Sequence, residues 1–173
     1  MFEVPAAPET TWALLTDVPR VLPCMPGAEL ERAVDGTTWQ VLLQVKLGPI
    51  SLQFRSTVEQ TEVDQAGRRA TLSIDAREVR GRGAAQATIA SSLAEADGGT
   101  RVSLVTDLSL RGAVAQYGRP VVGSVAEELT GQFARCISSL LERDESEPPT
   151  TVEPIGGLRL VLRTLWRRVV RRS

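Results

Sequence analysis

Few side chains in this sequence could carry out chemistry. Histidine is absent, which excludes histidine-based proton transfer, Ser-His and Cys-His nucleophiles and His-ligated metals. Cys24 and Cys136 lack CxxC spacing and fall in segments that look like buried helix, so we expect neither a metal nor a redox role for them. The remaining polar candidates are Asp75, Glu78, Arg80, Arg82, Asp107, Gln116, Tyr117 and Arg119.

Two short stretches contain most of these polar candidates. In "GAVAQYGRP", Gln116 and Tyr117 could hydrogen-bond a ligand carbonyl, or could simply be a polar helix cap with an anchoring tyrosine. In "RGRG", residues 80–83, the glycines indicate first a turn or bulge and second an anion or partner contact. Strand alternation turns Asp75 and Asp107 away from the interior. We therefore expect no catalytic residue and no metal site.

Charge is distributed unevenly along the chain. Residues 148–173 contain six arginines and one glutamate, whereas residues 1–147 contain 20 acidic and 14 basic residues, a net charge of −6. Nucleic-acid binding requires a basic face on the fold itself, so the acidic body predicts no nucleic-acid partner. No signal segment and no apolar run of about 18 residues is present, which predicts a cytoplasmic protein.

The patterning predicts the elements that must position these residues. Residues 2–4 read as a strand and residues 8–25 as two short helices that end at Pro26 and Gly27. Apolar and polar residues then alternate through six runs, with a hairpin signal at residues 97–99. Residues 121–140 return to helical spacing with one apolar stripe.

This order of elements predicts an α+β fold. A curved antiparallel sheet of about seven strands must bury its apolar face, and the long C-terminal helix is the element long enough to cover it. The sheet therefore wraps around this helix in a helix-grip arrangement, and two short helices follow strand 1. Residues 1–143 form this domain.

Small inward residues on the fifth and sixth strands, Ala70, Ala76, Ala85, Ala87 and Ser91, indicate an underfilled concave side. The alternative is that the helix lies closer to the sheet there and fills the space. We assign to the ligand cavity Trp12, Met25, Trp39, Val41, Leu43, Phe54, Leu72, Ile74, Ala85, Ala87, Leu104, Gln116, Tyr117 and Phe133, of which most could equally be core.

The C-terminal end differs from the body. Residues 144–157 are acidic and rich in proline and glycine, which is typical of a flexible linker that could reach about 45 Å when extended. Residues 158–173, "LRLVLRTLWRRVVRRS", predict a basic amphipathic helix about 22 Å long, shorter than a hydrocarbon core of roughly 30 Å. Such a helix can lie on a membrane but cannot span it.

Membrane binding by this tail helix would use an apolar face and an arginine face. The residues that we assign to it are Leu158, Arg159, Leu162, Arg163, Leu165, Trp166, Arg167, Val169 and Arg171. Two alternatives stay open, which are docking in an acidic groove of a partner protein and nonspecific binding of nucleic acid.

Five segments together resemble the carbon monoxide dehydrogenase G-subunit family (CoxG), a branch of the helix-grip (SRPBCC, START-like) superfamily. They are "WALLTDVPRVLPCMPGAEL", "VKLGPISLQF", "RGRGAAQATIASSL", "GGTRVSLVTDLSLRGAVAQYGR" and "LTGQFARCISSLL", in order over residues 2–142. The resemblance implies the same fold with a deep apolar cavity. It also implies an accessory role, in which the protein attaches a molybdenum-containing carbon monoxide dehydrogenase or related hydroxylase to the membrane and serves its electron output. It supplies no catalytic residue.

The cavity, the tail and the resemblance together predict a carrier. It would hold an apolar small molecule, an isoprenoid quinone or similar lipid, with no covalent or metal cofactor. It would bind the dehydrogenase and an anionic membrane surface at the inner face of the cell membrane. The alternatives are an adaptor that recruits the enzyme without a carried ligand, and an enzyme, since related folds include cyclases and hydrolases.

Overall fold

A computed structural model describes residues 1–47 and 50–146. The fold consists of seven strands, three α-helices and two 3₁₀ helices in the described part of the chain. In chain order these are β1 (Phe2–Val4), α1 (Pro8–Leu15), α2 (Val18–Val21), a 3₁₀ helix (Leu22–Cys24), β2 (Ala28–Ala33), β3 (Thr38–Leu47), β4 (Ile50–Asp64), β5 (Arg69–Glu78), β6 (Gly83–Ala96), β7 (Gly99–Gly112), a second 3₁₀ helix (Ala113–Tyr117) and α3 (Gly118–Ser146). The predicted α+β helix-grip architecture is confirmed.

The seven strands form one antiparallel sheet in the order β1-β7-β6-β5-β4-β3-β2. Strands β2 to β7 are a meander, because each pairs with the next strand in the chain. The predicted hairpin closes with Ala96 opposite Gly99, and Gly98 between them has φ 81°, a conformation that glycine adopts without steric cost. Local turn chemistry thus sets the β6–β7 register.

Strand β1 covers only one end of β7. It pairs from Phe2 opposite Val102 to Val4 opposite Thr100. The rest of β7, residues 103–112, has no strand on that side among the described residues. One edge of the sheet is therefore open next to α3.

The packed core lies under the C-terminal half of α3. Ile137 and Leu141 are fully buried there and form a cluster with Leu14 of α1 and Val102 of β7. The partly buried Phe133 meets Phe2 edge-to-face, with ring centroids 6.3 Å apart. Apolar burial of this kind is the main force that holds the helix on the sheet.

We expected neither a metal nor a redox role for the two cysteines and did not foresee that they pair. Cys24 in the first 3₁₀ helix and Cys136 in α3 form a disulfide, with Cα atoms 5.4 Å apart. Their 112-residue separation gives no local signal of pairing. Spacing rules detect pairs that are close in sequence, whereas here the folded chain brings the two positions together.

Helix α3 ends at Ser146, so residues 144–146, which we assigned to the linker, are helical. The rest of the linker and the whole predicted tail helix, residues 147–173, lie outside the described residues. Within residues 1–47 and 50–146, every helix is too short or too polar to cross a membrane.

Candidate functional site

An apolar cavity lies between the sheet and the N-terminal half of α3. Its floor is a row of inward residues from adjacent strands, in which Ser56 lies opposite Ala76, Ala76 opposite Ala85, and Ala85 opposite Leu110. Ala87, opposite Leu108, belongs to the next row. Because four of these six side chains are no larger than a hydroxymethyl group, the floor leaves space that leucine or phenylalanine would fill.

The roof of the cavity comes from α3 and from the 3₁₀ helix before it. The residues that α3 contributes repeat at helical spacing and are Val121, Val122, Val125, Ala126 and Leu129. Val114 and Tyr117 of the 3₁₀ helix close one end. This 3₁₀ helix lies between Gly112 and Gly118, which both have positive φ, so the chain can turn sharply from β7 into α3.

The cavity has a volume of about 230 Å³ and is open to solvent. Two of its lining residues, Leu108 on β7 and Val121 on α3, are 41% and 40% exposed. Both are apolar, and β7 has no neighbouring strand at Leu108 on the side away from β6 within the described residues. Because ligand pockets usually measure about 300–1,000 Å³, this cavity could enclose a ring or a short chain segment, but a longer ligand would extend through the opening.

We considered two interpretations of the small inward residues, an open cavity and a helix that fills the space. Each is correct for one end of the sheet. Ala70 is buried in the core cluster with Ile137 and Leu141, and Ser91 donates a hydrogen bond to the Ala70 carbonyl at 3.0 Å. The helix fills the space at that end. Ala76, Ala85 and Ala87 face the N-terminal half of α3, where the space stays open.

Polar groups are scarce in the cavity. Ser56 and Tyr117 are the polar side chains that line it, and no charged side chain does so in the described chain. Ser56 is only 4% exposed, and its hydroxyl has no hydrogen-bond partner among residues 1–47 and 50–146. The site is thus suited to an apolar molecule with few polar atoms.

Six of the fourteen predicted cavity residues line this cavity, namely Leu43, Phe54, Ile74, Ala85, Ala87 and Tyr117. The other eight do not. Trp12, Leu104 and Phe133 belong to the core cluster under the C-terminal half of α3, and Trp39, Val41 and Leu72 to a second cluster with Val18 of α2. Met25 is half-buried at the turn before β2, and Gln116 is exposed.

Four of these eight residues, Trp39, Val41, Leu72 and Leu104, lie on strands and share one cause. Alternation shows that a strand residue faces inward, but not whether the helix above it is close or distant. The lining residues absent from our assignment are Val45, Leu52, Ser56, Ala76, Leu108, Leu110, Val114, Val121, Val122, Val125, Ala126 and Leu129. Alternation along β7 could have indicated Leu108 and Leu110, and the apolar stripe of α3 already contained Val121, Val125 and Leu129.

The stretch "RGRG" forms a turn, which confirms our first interpretation of it. The Glu78 side chain, 1% exposed, accepts hydrogen bonds from the backbone N–H groups of Arg80 and Arg82 and pairs with the Arg82 guanidinium at 3.1 Å. The backbone hydrogen bond from Arg82, then its side-chain hydrogen bond and its charge, hold the pKa of Glu78 below the ordinary value despite burial. The Glu78 carboxylate therefore stabilises the β5–β6 turn through these hydrogen bonds.

The other polar candidates lie outside the cavity. Asp75 and Asp107 are exposed, as alternation predicted, and Asp75 accepts a hydrogen bond from Gln86 at 3.0 Å. The Arg119 side chain is outside the described part of the chain. Two clefts of about 460 Å³ each flank residues 78–83 and have mixed polar and apolar linings. The predicted membrane-binding residues, within 158–173, also fall outside the described residues.

Comparison with known proteins identifies relatives of this chain. Residues 1–142 match the family model described as the G subunit of carbon monoxide dehydrogenase (CoxG). A comparison with curated protein sequences finds no match.

Several solved structures share the fold. A conserved protein from Geobacillus kaustophilus is 19% identical, with a TM-score of 0.73 over 82% of this chain and 92% of that one. The Zhui aromatase/cyclase from Streptomyces sp. R1128 is 16% identical, with a TM-score of 0.58 over 82% and 90%. Ara h 8.0201 is 15% identical, with a TM-score of 0.55 over 82% and 94%. At such identities these likenesses establish the fold alone.

Proposed function

The chain belongs to the carbon monoxide dehydrogenase G-subunit (CoxG) family, and from this premise we propose that it is an accessory protein that carries an apolar ligand for a dehydrogenase. The enzyme served is a molybdenum-containing carbon monoxide dehydrogenase or a related hydroxylase. The ligand is an isoprenoid quinone or a similar lipid. The observation that carries this proposal is the open, almost wholly apolar cavity beneath the N-terminal half of α3.

The lining favours a neutral, largely hydrocarbon ligand. Transfer of apolar surface from water into such a site contributes about 25 cal/mol per Å², whereas an unpaired charge would be strongly disfavoured. An isoprenoid quinone has a flat ring with two carbonyl oxygens and a long apolar chain. The ring matches the enclosed volume, and the chain can leave between Leu108 and Val121.

In this proposal the C-terminal tail binds the protein to the membrane surface. Residues 158–173 combine six arginines with an apolar face that contains Trp166, a composition that binds anionic lipid surfaces. Each arginine near such a surface contributes about 1 kcal/mol, so binding is reversible and weakens with salt. Reversible attachment allows the domain to take a ligand from the membrane and present it to an enzyme.

Ligand binding by the full-length protein tests the proposal. The purified protein is extracted with organic solvent and analysed by mass spectrometry for copurified lipid. The delipidated protein is then titrated with a naphthoquinone that carries two prenyl units. We expect a copurified quinone or lipid and saturable one-to-one binding. Absence of both would overturn the carrier proposal and leave the adaptor, which recruits the enzyme without a ligand.

A further inference from the structure

The cavity floor contains an unpaired hydroxyl group. Ser56 lies in the middle of β4, flanked by Val41 on β3 and Ala76 on β5. The residue is 4% exposed and lines the cavity, and its Oγ atom has no hydrogen bond to any described residue. Other inward positions near it, such as Ala76 and Ala85, carry no polar group.

The Ser56 hydroxyl has no partner among the described residues and lines a cavity that is open to solvent, so its hydrogen-bonding capacity is free for a molecule that enters the cavity. A ligand atom can supply this partner. A hydroxyl group can donate to a carbonyl oxygen or accept from another hydroxyl.

We propose that Ser56 binds the oxygen-bearing head of the ligand, so that the ligand enters the cavity head first and its apolar chain lies between Leu108 and Val121. The proposal rests on the proposed carrier function and deepens it. The head lies on the sheet because Ser56 is on the floor, and the chain lies at the opening because the exposed lining residues there are apolar.

The same geometry restricts the chemical class of the head group. No lysine, arginine, aspartate or glutamate side chain of the described residues lines the cavity. A carboxylate or phosphate head would lie unpaired beside Leu52 and Phe54, which is far more costly than placing a neutral oxygen there. A ligand that enters head first must therefore carry a neutral carbonyl or hydroxyl head on its apolar chain.

Substitution of Ser56 by alanine tests this assignment through two measurements, ligand affinity and melting temperature. In the full-length protein, Ser56→Ala should weaken binding of the two-prenyl naphthoquinone by roughly two- to tenfold, the loss of one hydrogen bond. It should leave the melting temperature of the empty protein unchanged, because the Ser56 hydroxyl makes no hydrogen bond to the described residues. A binding defect caused by misfolding would instead lower the melting temperature.

Three controls make the comparison specific. Ser73→Ala removes a half-buried serine from the opposite face of the neighbouring strand β5 and should leave quinone binding as in the unsubstituted protein. The corresponding naphthalene hydrocarbon, which lacks oxygen, should bind Ser56→Ala at least as tightly as the unsubstituted protein. Tyr117→Phe removes the other hydroxyl that lines the cavity.

The outcomes separate the two proposals. Equal quinone affinity in Ser56→Ala and the unsubstituted protein, or a loss confined to Tyr117→Phe, would overturn the role of Ser56 while the carrier function stands. If the unsubstituted protein binds no quinone, dodecanol provides a neutral head on an apolar chain. Dodecanol binding that weakens in Ser56→Ala would support the Ser56 assignment without a quinone, and failure to bind dodecanol would overturn both proposals.

Discussion

Cys24 and Cys136 are joined by a disulfide that fastens the segment after α2 to the packed half of α3. Both cysteines pack in the core cluster that contains Ile137 and Leu141. The N-terminal half of the same helix, residues 121–129, roofs the cavity instead. The helix is thus held covalently and by packing at one end, while its other end lies above open space.

We predict that loss of this disulfide destabilises the domain. Because the bond closes a long loop, the chain-entropy model gives an upper value of about 4.7 kcal/mol, and disulfides typically contribute about 2–4 kcal/mol. Urea unfolding of the protein with and without dithiothreitol measures this difference. The double variant Cys24→Ser/Cys136→Ser should unfold at the same urea midpoint as the reduced protein. Dithiothreitol should not change this midpoint. Equal midpoints for the oxidised and reduced protein would contradict the prediction.

Filling the cavity should abolish ligand binding. Ala87 lines the cavity opposite Leu108, and a tryptophan there would occupy the space that the ligand needs. Ala87→Trp should prevent titration by the two-prenyl naphthoquinone, and overpacking would cost about 1–3 kcal/mol of stability. Ala90→Trp, on the exposed face of the same strand, is the matched control.

The same pair of variants distinguishes a carrier from an adaptor. Pull-down of the dehydrogenase should be equal with both variants, whereas quinone-dependent enzyme turnover should fall with Ala87→Trp alone. Normal turnover with a filled cavity would show that no ligand needs to be carried.

Acid should weaken the β5–β6 turn through Glu78. Hydrogen bonds from Arg82 and Arg80 lower the pKa of Glu78 in the folded protein below the ordinary 4.5. The ionised carboxylate therefore stabilises the fold fully above about pH 4.5, and this contribution is lost as the pH falls through the lower folded value. Glu78→Gln should lower the free energy of unfolding at pH 7 and flatten its decline between about pH 5 and pH 3.

Glu59→Gln, an exposed position on the neighbouring strand β4, is the control for this pH experiment. It should retain the acid dependence of the unsubstituted protein, including the part that comes from Glu9 and Asp35, whose pKa values are also lowered. A Glu78→Gln profile parallel to that of Glu59→Gln at every pH would refute the assignment.

Removal of residues 148–173 should eliminate membrane binding and leave the domain folded. Full-length protein should cosediment with vesicles of phosphatidylglycerol at low salt, less so at high salt, and not with neutral vesicles. The truncated protein should remain in the supernatant with an unchanged melting temperature. Leu165→Ser/Trp166→Ser keeps all six arginines and separates insertion of the apolar face from charge attraction.

If the full-length protein does not cosediment with phosphatidylglycerol vesicles at low salt, the proposed membrane binding is wrong. The tail would then be a docking helix for an acidic groove on the partner enzyme, which pull-down with the truncated protein would test.

The sequence by itself determined the order of elements and the face of each strand. Alternation in β3 to β7, the turn residues 97–98 and the helical stripe of α3 depend on neighbours a few positions apart, so local chemistry settles them. Those patterns also identified Ala85 and Ala87 as inward and Asp75 and Asp107 as outward.

Tertiary structure decided where the cavity lies and which residues line it. Ala70 and Ala76 are both small and inward, yet one is covered by Ile137 and Leu141 and the other faces open space. The pairing of Cys24 with Cys136 depends on where α3 lies against the first 3₁₀ helix, and the open space in front of Ser56 depends on the distance between α3 and the sheet. That distance results from packing between residues far apart in the chain, about which no local pattern carries information.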